Sequence, residues 1–218
     1  MTEWASKIPA TPSASGAQEA SGKGAISFED ETLVDRCRKG DMQAFGLLVA
    51  KYQDRILNMV YRMCGRWADA EELAQETFLK ALERIGQFRG HSGFYTWLFR
   101  IAANLTISHR RRAGRIGFNS LNAGDDMENT QADALTAELS ARRNPAPHAA
   151  AEAAEQHRRV YEALDSLEDD FRLVVVLRDI EEMDYSQIAK VLDLPAGTVK
   201  SRLHRARCML KEKLGPIN

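Results

Sequence analysis

The sequence predicts an all-α protein of two small helical domains joined by a flexible linker, the C-terminal one containing a helix-turn-helix. Three observations carry this. Apolar residues recur at spacings of three and four in two long blocks. Between the blocks, from Ala113 to about Ala151, the periodicity lapses and Pro145 and Pro147 appear. No stretch of useful length alternates apolar and polar residues as a half-buried strand would. "LVVVL", Leu173 to Leu177, is β-prone in composition but sits inside helical periodicity.

Taken in order, residues 1–27 ("KIPATPSASGAQEASGKGA" and its flanks) are small and polar, rich in Pro and Gly, and have little to bury, which predicts a disordered tail. The first domain is expected over 28–112. Leu33, Val34 and Cys37, then Phe45, Leu48, Tyr52, Ile56 and Met59, form its apolar stripe. "KGD" at Lys39 to Asp41 reads as a stop and a cap, with Gly40 ending one helix and Asp41 opening the next. A third helix begins near Asp69, and a fourth covers "FYTWLFRIAANLTISHRRR". Between them "GQFRGHSG", Gly86 to Gly93, reads as a loop. The linker over 113–151 is acidic between Asp125 and Glu138, with room for a short helix near 132–139. The second domain, 152–218, is helical again to Leu214.

Composition narrows the class. With 218 residues, 44% hydrophobic and 28% charged, the chain fits one large or two small globular domains. No apolar run approaches the roughly 18 residues a membrane span needs, and no secretory signal is visible. Cys37, Cys64 and Cys208 are scattered and odd in number, neither a disulfide framework nor a zinc spacing, so a reducing cytoplasm is expected. No metal-ligand cluster, phosphate-cradling glycine loop or H-E-x-x-H motif occurs, and the five histidines are scattered. Neither a cofactor, a small-molecule substrate nor an enzymatic activity of its own is expected.

The C-terminal domain carries a DNA-reading grammar. In "DYSQIAKVLDLPAGTVKSRLHRARCML", Asp184 caps a short helix and Gln187 can reach back to it, while Ile188, Ala189 and Leu192 bury one face. "DLPAG" allows only a tight turn, and Pro195 suits the start of the next helix. There Val199, Leu203, Ala206 and Leu210 make the core-facing stripe. Thr198, Lys200, Ser201, Arg202, His204 and Arg205 are left for major-groove bases and phosphates. From Lys200 to Lys213 the only acid is Glu212.

Two features of the first domain go beyond a plain helix-turn-helix protein. Glu72, Gln75, Glu76 and Leu79 lie on one face of the third helix, polar and acidic, while Ala70, Ala74, Phe78 and Ala81 point elsewhere. No acid occurs between Glu83 and Asp125, a window holding Arg84, Arg89, Arg100, Arg110, Arg111, Arg112 and Arg115. Such a window is a phosphate-facing footprint. The interleaved aromatics Phe88, Phe94, Tyr95, Trp97 and Phe99 could stack on unpaired bases or pack in the core; the stripe with Leu98, Ile101 and Leu105 assigns Phe94 to the core.

"DAEELAQETFLKAL", then "FRGHSGFYTWLFRIAANLTISHRRR", then "LDSLEDDFRLVVVLRDIEEMDYSQIAKVLDLPAGTVKSRLHRAR", in this order, resemble a bacterial sigma factor of the sigma-70 family, extracytoplasmic-function type, which keeps only domains two and four. The resemblance covers roughly Phe28 to Leu214. It implies that Asp69, Glu72, Gln75 and Glu76 contact core RNA polymerase at the β′ clamp, with β also a partner. It implies a pocket for a base flipped from the melted minus-ten strand, at Phe88, the loop Arg89, Gly90, His91 and Ser92, and Asn104, whose amide can read a base edge. Arg110, Arg111 and Arg112 add phosphate contacts, and the second domain reads the minus-thirty-five duplex. Promoter DNA and an anti-sigma factor, often membrane-anchored, are implied partners, and stress-responsive transcription initiation is the implied role.

The sequence departs from the family at two turns. Glu168 stands where a proline is common, and "EEM" where a glycine often precedes the helix-turn-helix. A helix-turn-helix regulator acting without polymerase docking is the alternative. It leaves "DAEELAQETFLKAL" and the acid-free window unexplained.

Overall fold

The computed structural model describes residues 28–119, 155 and 158–215, and among these only helices and turns occur. The tail, most of the linker and the short helix expected near 132–139 lie outside the described residues. Helices α1 (Phe28–Arg38), α2 (Met42–Cys64), α3 (Trp67–Arg84) and α4 (Phe94–Asn119) form the first body. Helix α5 (158–165), α6 (Asp169–Val175), α7 (Tyr185–Leu192) and α8 (Ala196–Leu214) form the second.

The local signals work as the chemistry dictates. The α1 helix opens on Glu29, Asp30 and Glu31, which favour the positive end of its dipole. Gly40 takes φ 89°, open to glycine at no steric cost, and the Asp41 carboxylate accepts the free Gln43 and Ala44 amides at 3.0 and 3.2 Å. At the other end of α2, Gly65 adopts φ 75° and its N–H donates to the Tyr61 carbonyl. Between these ends Leu48, Ile56, Met59, Val60 and Met63 are fully buried. Each contributes about 1.5–3 kcal/mol by leaving water. The expected stripe from Leu33 to Met59 is buried throughout.

Two local expectations need correction. Helix α4 runs to Asn119, past the boundary expected at Arg112. Gly114 and Gly117 weaken a helix by only about 1 kcal/mol each, which costs stability without stopping it. In α7 the buried residues are Ile188 and Val191, with Ala189 and Leu192 half-buried, because the helix is turned slightly from the expected face. Pro195 enters α8 as expected, at its N-cap, just ahead of the first helical residue.

"LVVVL" is helical and buried from end to end, and from Val176 to Ile180 the winding loosens into a π-helix. The turns around it explain both departures from the family pattern. Glu168 holds φ −57°, a value proline would fix, and Glu182 holds φ 56°, the left-handed region that glycine enters freely.

The two bodies share one continuous core: α7 lies against α4, and α6 meets the C-terminal end of α2. The Arg172 side chain is only 1% exposed. Its Nη1 donates to the Met63 carbonyl at 2.8 Å and lies 2.9 Å from Asp165 Oδ1. Arg110 Nη1 donates to the same Met63 carbonyl at 2.5 Å, so two guanidiniums cap the negative end of α2.

Candidate functional site

The site has three parts, each positioned by a different helix. On α3, Glu72, Gln75 and Leu79 are exposed, and Leu79 keeps 62% of its surface in water. Asp69 is half-buried and 3.8 Å from Arg66, while Glu76 is held by Lys80 at 2.8 Å one turn on. This face borders a groove of about 540 Å³ between α2 and α3, floored by Val49, Leu57, Phe78 and Leu82 and edged by Gln53 and Gln75. Sequence reasoning found the α3 edge but missed the α2 wall. The signal was there: Val49, Gln53 and Leu57 follow Phe45 of the buried stripe at every fourth residue and run along its side.

The second part is the turn between α3 and α4 with the outer face of α4. Arg89, Gly90 and His91 are exposed and Ser92 half-exposed, and Gly90 takes φ 72°. Arg100, Asn104, Ser108 and Arg111 form an exposed stripe along α4, with Arg112 beside it. Phe88 departs from its expected place against a base. It is 7% exposed, its ring 5.2 Å from Trp97 and 6.1 Å from Phe94, with the Arg38 guanidinium above it at 5.8 Å. Burying that ring among aromatics outweighs exposing it to solvent. Phe99 is fully buried against Tyr95, at 4.4 Å between ring centres, and Trp97 is half-buried.

Arg110 is not free either: its Nε lies 2.5 Å from Asp169 Oδ1 on the second body. The loop, Asn104, Arg111 and Arg112 thus form one open basic surface, from which Phe88 and Arg110 are withdrawn.

The third part is α8. The Asp184 capping box is fully formed: its carboxylate accepts the Gln187 amide at 2.8 Å, and Gln187 Oε1 accepts the Asp184 N–H at 2.9 Å. Burial works against the Asp184 charge, but donors from Ser186 and Gln187 prevail and hold its carboxyl below the usual range. With α7 fixed and Asp193 closing it at φ 55°, the turn into α8 is tight. Val199, Leu203, Ala206 and Leu210 are buried as expected. Lys200, Ser201, His204 and Arg205 are exposed, and Thr198 is half-exposed. Arg202 is held back by Asp170 at 2.9 Å.

Burial raises the Cys37 thiol and pushes Cys64 up to about 11, which keeps both as poor nucleophiles. Among the described residues no group of His, Cys, Asp or Glu could hold a metal ion, and no helix is long and apolar enough to cross a membrane.

Comparison with known proteins agrees with this arrangement. Residues 48–116 match the family model of Sigma-70 region 2, and residues 157–210 match Sigma-70, region 4. The RNA polymerase sigma-H factor of Pseudomonas aeruginosa is 37% identical over 87% of this chain and 95% of its own length. The ECF RNA polymerase sigma-E factor of Escherichia coli K12 is 36% identical over 86% of this chain and 95% of its own. Among solved structures, CnrH in complex with the cytosolic domain of CnrY superposes with a TM-score of 0.60 at 25% identity, covering 85% of this chain and 97% of that one. The fold is also that of the sigma factor RpoE of Bartonella quintana in complex with the anti-sigma factor NepR, TM-score 0.58 at 21% identity, covering 80% and 98%. The chain belongs to the sigma-70 family, as an extracytoplasmic-function RNA polymerase sigma factor.

Proposed function

We propose that this chain binds core RNA polymerase through the α3 face and the groove beside it, and directs initiation at chosen promoters. Asp69, Glu72, Gln75 and Glu76 supply the polar contacts to the β′ clamp, and Leu79 with the groove supplies the apolar anchor. A large exposed apolar side chain ringed by hydrogen-bonding groups is the anatomy of an interface centre.

The loop Arg89–Ser92 and Asn104 capture a base of the melted minus-ten strand, with Arg111 and Arg112 on its phosphates. Phe88 acts from beneath, as the packed floor that fixes the loop. Lys200, Ser201, His204 and Arg205 read the minus-thirty-five duplex, and Thr198 meets phosphate at the start of α8. The chain works in the cytoplasm, performs no catalysis of its own and is a target for an anti-sigma factor.

The observation that carries this reading is the pairing, on one chain, of an open acidic and apolar α3 face with two open basic surfaces. A regulator acting alone has no use for the first. Run-off transcription with purified core polymerase on a pool of promoter fragments tests it. The chain should give selective initiation, lost with Gln75→Ala. Duplex binding with no initiation would return the helix-turn-helix regulator.

A further inference from the structure

Helix α1 ends beside the Arg89–Ser92 loop. It packs on the turn Ile85–Gln87 that leads into the loop, and its last turn carries Arg36 and Arg38. Both arginines suit the negative end of the helix dipole, but their settings differ. Arg36 is taken up by Asp41, Nε to Oδ2 at 2.9 Å, across the turn into α2. Arg38 donates one hydrogen bond, from Nη1 to Asp35 Oδ1 at 3.2 Å, and that carboxylate is itself 65% exposed. An exposed pair of this kind is worth little, so Asp35 does not account for where the guanidinium lies.

It lies over the Phe88 ring, 5.8 Å from the ring centre and within reach of its π face. Trp97 and Phe94 hold that ring at 5.2 and 6.1 Å, so the ring is fixed and fixes the guanidinium in turn. Phe88 is bonded to Arg89, the first residue of the loop, which puts their Cα atoms about 3.8 Å apart. Arg38, the next residue Lys39, and Arg89 are all exposed. A guanidinium carries its N–H donors in a planar fork that meets phosphate oxygens two at a time. Only one donor of Arg38 is engaged, and with the ring beneath it the side chain loses little rotamer freedom on binding.

We propose that Arg38 is a further DNA contact: its guanidinium, aimed by Phe88, binds a backbone phosphate of the melted minus-ten strand next to the captured base, and Lys39 adds charge beside it. The DNA surface then extends onto α1, a helix outside the acid-free window. A phosphate contact positions the strand and carries no sequence information, so Arg38 acts alike on every promoter. This rests on the proposed reading of Arg89–Ser92 as the loop that captures the base.

The test uses holoenzyme assembled from the full chain and core polymerase. Two short fluorescent single strands serve as probes, one copied from the minus-ten region of a promoter found by run-off transcription and one of random sequence. Arg38→Gln should weaken binding of both about tenfold, and lower the slope of log affinity against log salt by about 0.7, the value for one phosphate on a single strand. Arg38→Lys should keep the slope, and Asp35→Asn, which releases the guanidinium, should tighten binding. Should Arg38→Gln lose its helical circular dichroism, Asp35→Asn carries the test, and binding no tighter than native overturns the contact. Lost affinity with an unchanged slope would make Arg38 a staple for Phe88 and overturn the phosphate contact. Native binding by Arg38→Gln with weaker binding by Arg89→Ala overturns the α1 contact and leaves the loop reading in place. Native binding by both overturns the loop reading as well.

Discussion

Arg55 and Glu181 meet across two bodies whose sequences are separated by a linker: Nε lies 3.0 Å from Oε2, and the carboxylate is almost wholly out of water. Burial raises the Glu181 carboxyl above its ordinary range, and the Arg55 guanidinium pulls it only part of the way back. Tyr95 and Arg62 are the other polar groups that bear on it. A raised folded-state value means that the Glu181 contribution is complete below the ordinary carboxyl pKa and is lost as pH rises through the raised one. Thermal stability should therefore fall as pH rises above the ordinary carboxyl range, and Glu181→Gln should fall less over the same rise. Parallel melting curves against pH would remove Glu181 as the cause.

Leu79 is the place to separate docking from folding. It is 62% exposed, so Leu79→Ala should leave the melting temperature unchanged. Losing the apolar contact should weaken core-polymerase binding by about 1.5–3 kcal/mol, at least tenfold, in a fluorescence titration. Equal loss of stability and binding would mean that the α3 face acts through the fold.

Much of this was legible in the sequence because it rests on local rules. The Asp41 and Asp184 caps, the stripe from Val199 to Leu210 and the exposed α3 face follow from side-chain chemistry within a few residues. What escaped depends on partners distant in the chain. Nothing near Arg110 announces Asp169, and nothing near Phe88 announces that Trp97 and Phe94 close around it. Periodicity finds which face of a helix is buried, but not which second body covers the arginines left outside. The α2 wall of the groove escaped for a different reason: half-buried residues beside a strong stripe look like its margin.

Phe88 offers a direct check on the packed-floor reading. Phe88→Ala should cost about 3–5 kcal/mol, the usual cost of removing a buried ring. Phe88→Leu, which keeps most of the volume, should cost under about 1.5 kcal/mol and retain promoter melting. A stable Phe88→Leu protein that binds core polymerase but no longer opens promoters would show that the ring itself meets a base.

Glu182 sits at φ 56°, the left-handed region that glycine enters freely. An L-residue there costs about 1–2 kcal/mol, and glycine returns about 0.4–1 kcal/mol of that through the entropy of the unfolded chain. Glu182→Gly should therefore stabilise the protein by about 0.5–1 kcal/mol in urea unfolding. Asp193→Gly at φ 55° should gain less, because aspartate tolerates this conformation and its contact with Arg100 would be lost. A destabilised Glu182→Gly would mean that the glutamate side chain has a role of its own.

Arg202 and Arg205 lie on the same helix but in different circumstances. Arg202 is 2.9 Å from Asp170, whereas Arg205 is exposed. An arginine already paired must give up its carboxylate before it reaches DNA, so its removal costs binding less than removal of a free one. In the holoenzyme bound to a promoter duplex, Arg205→Ala should cost about 1–3 kcal/mol if it reads a base. If it meets phosphate, the loss should be uniform across sequences, with a salt slope lower by roughly one. Arg202→Ala should cost less, and Asp170→Asn, which frees the guanidinium, should tighten binding. Anisotropy titrations over a range of salt separate these outcomes. A larger loss from Arg202→Ala than from Arg205→Ala would reverse the assignment and make Asp170 a positioning residue that aims Arg202 at the duplex.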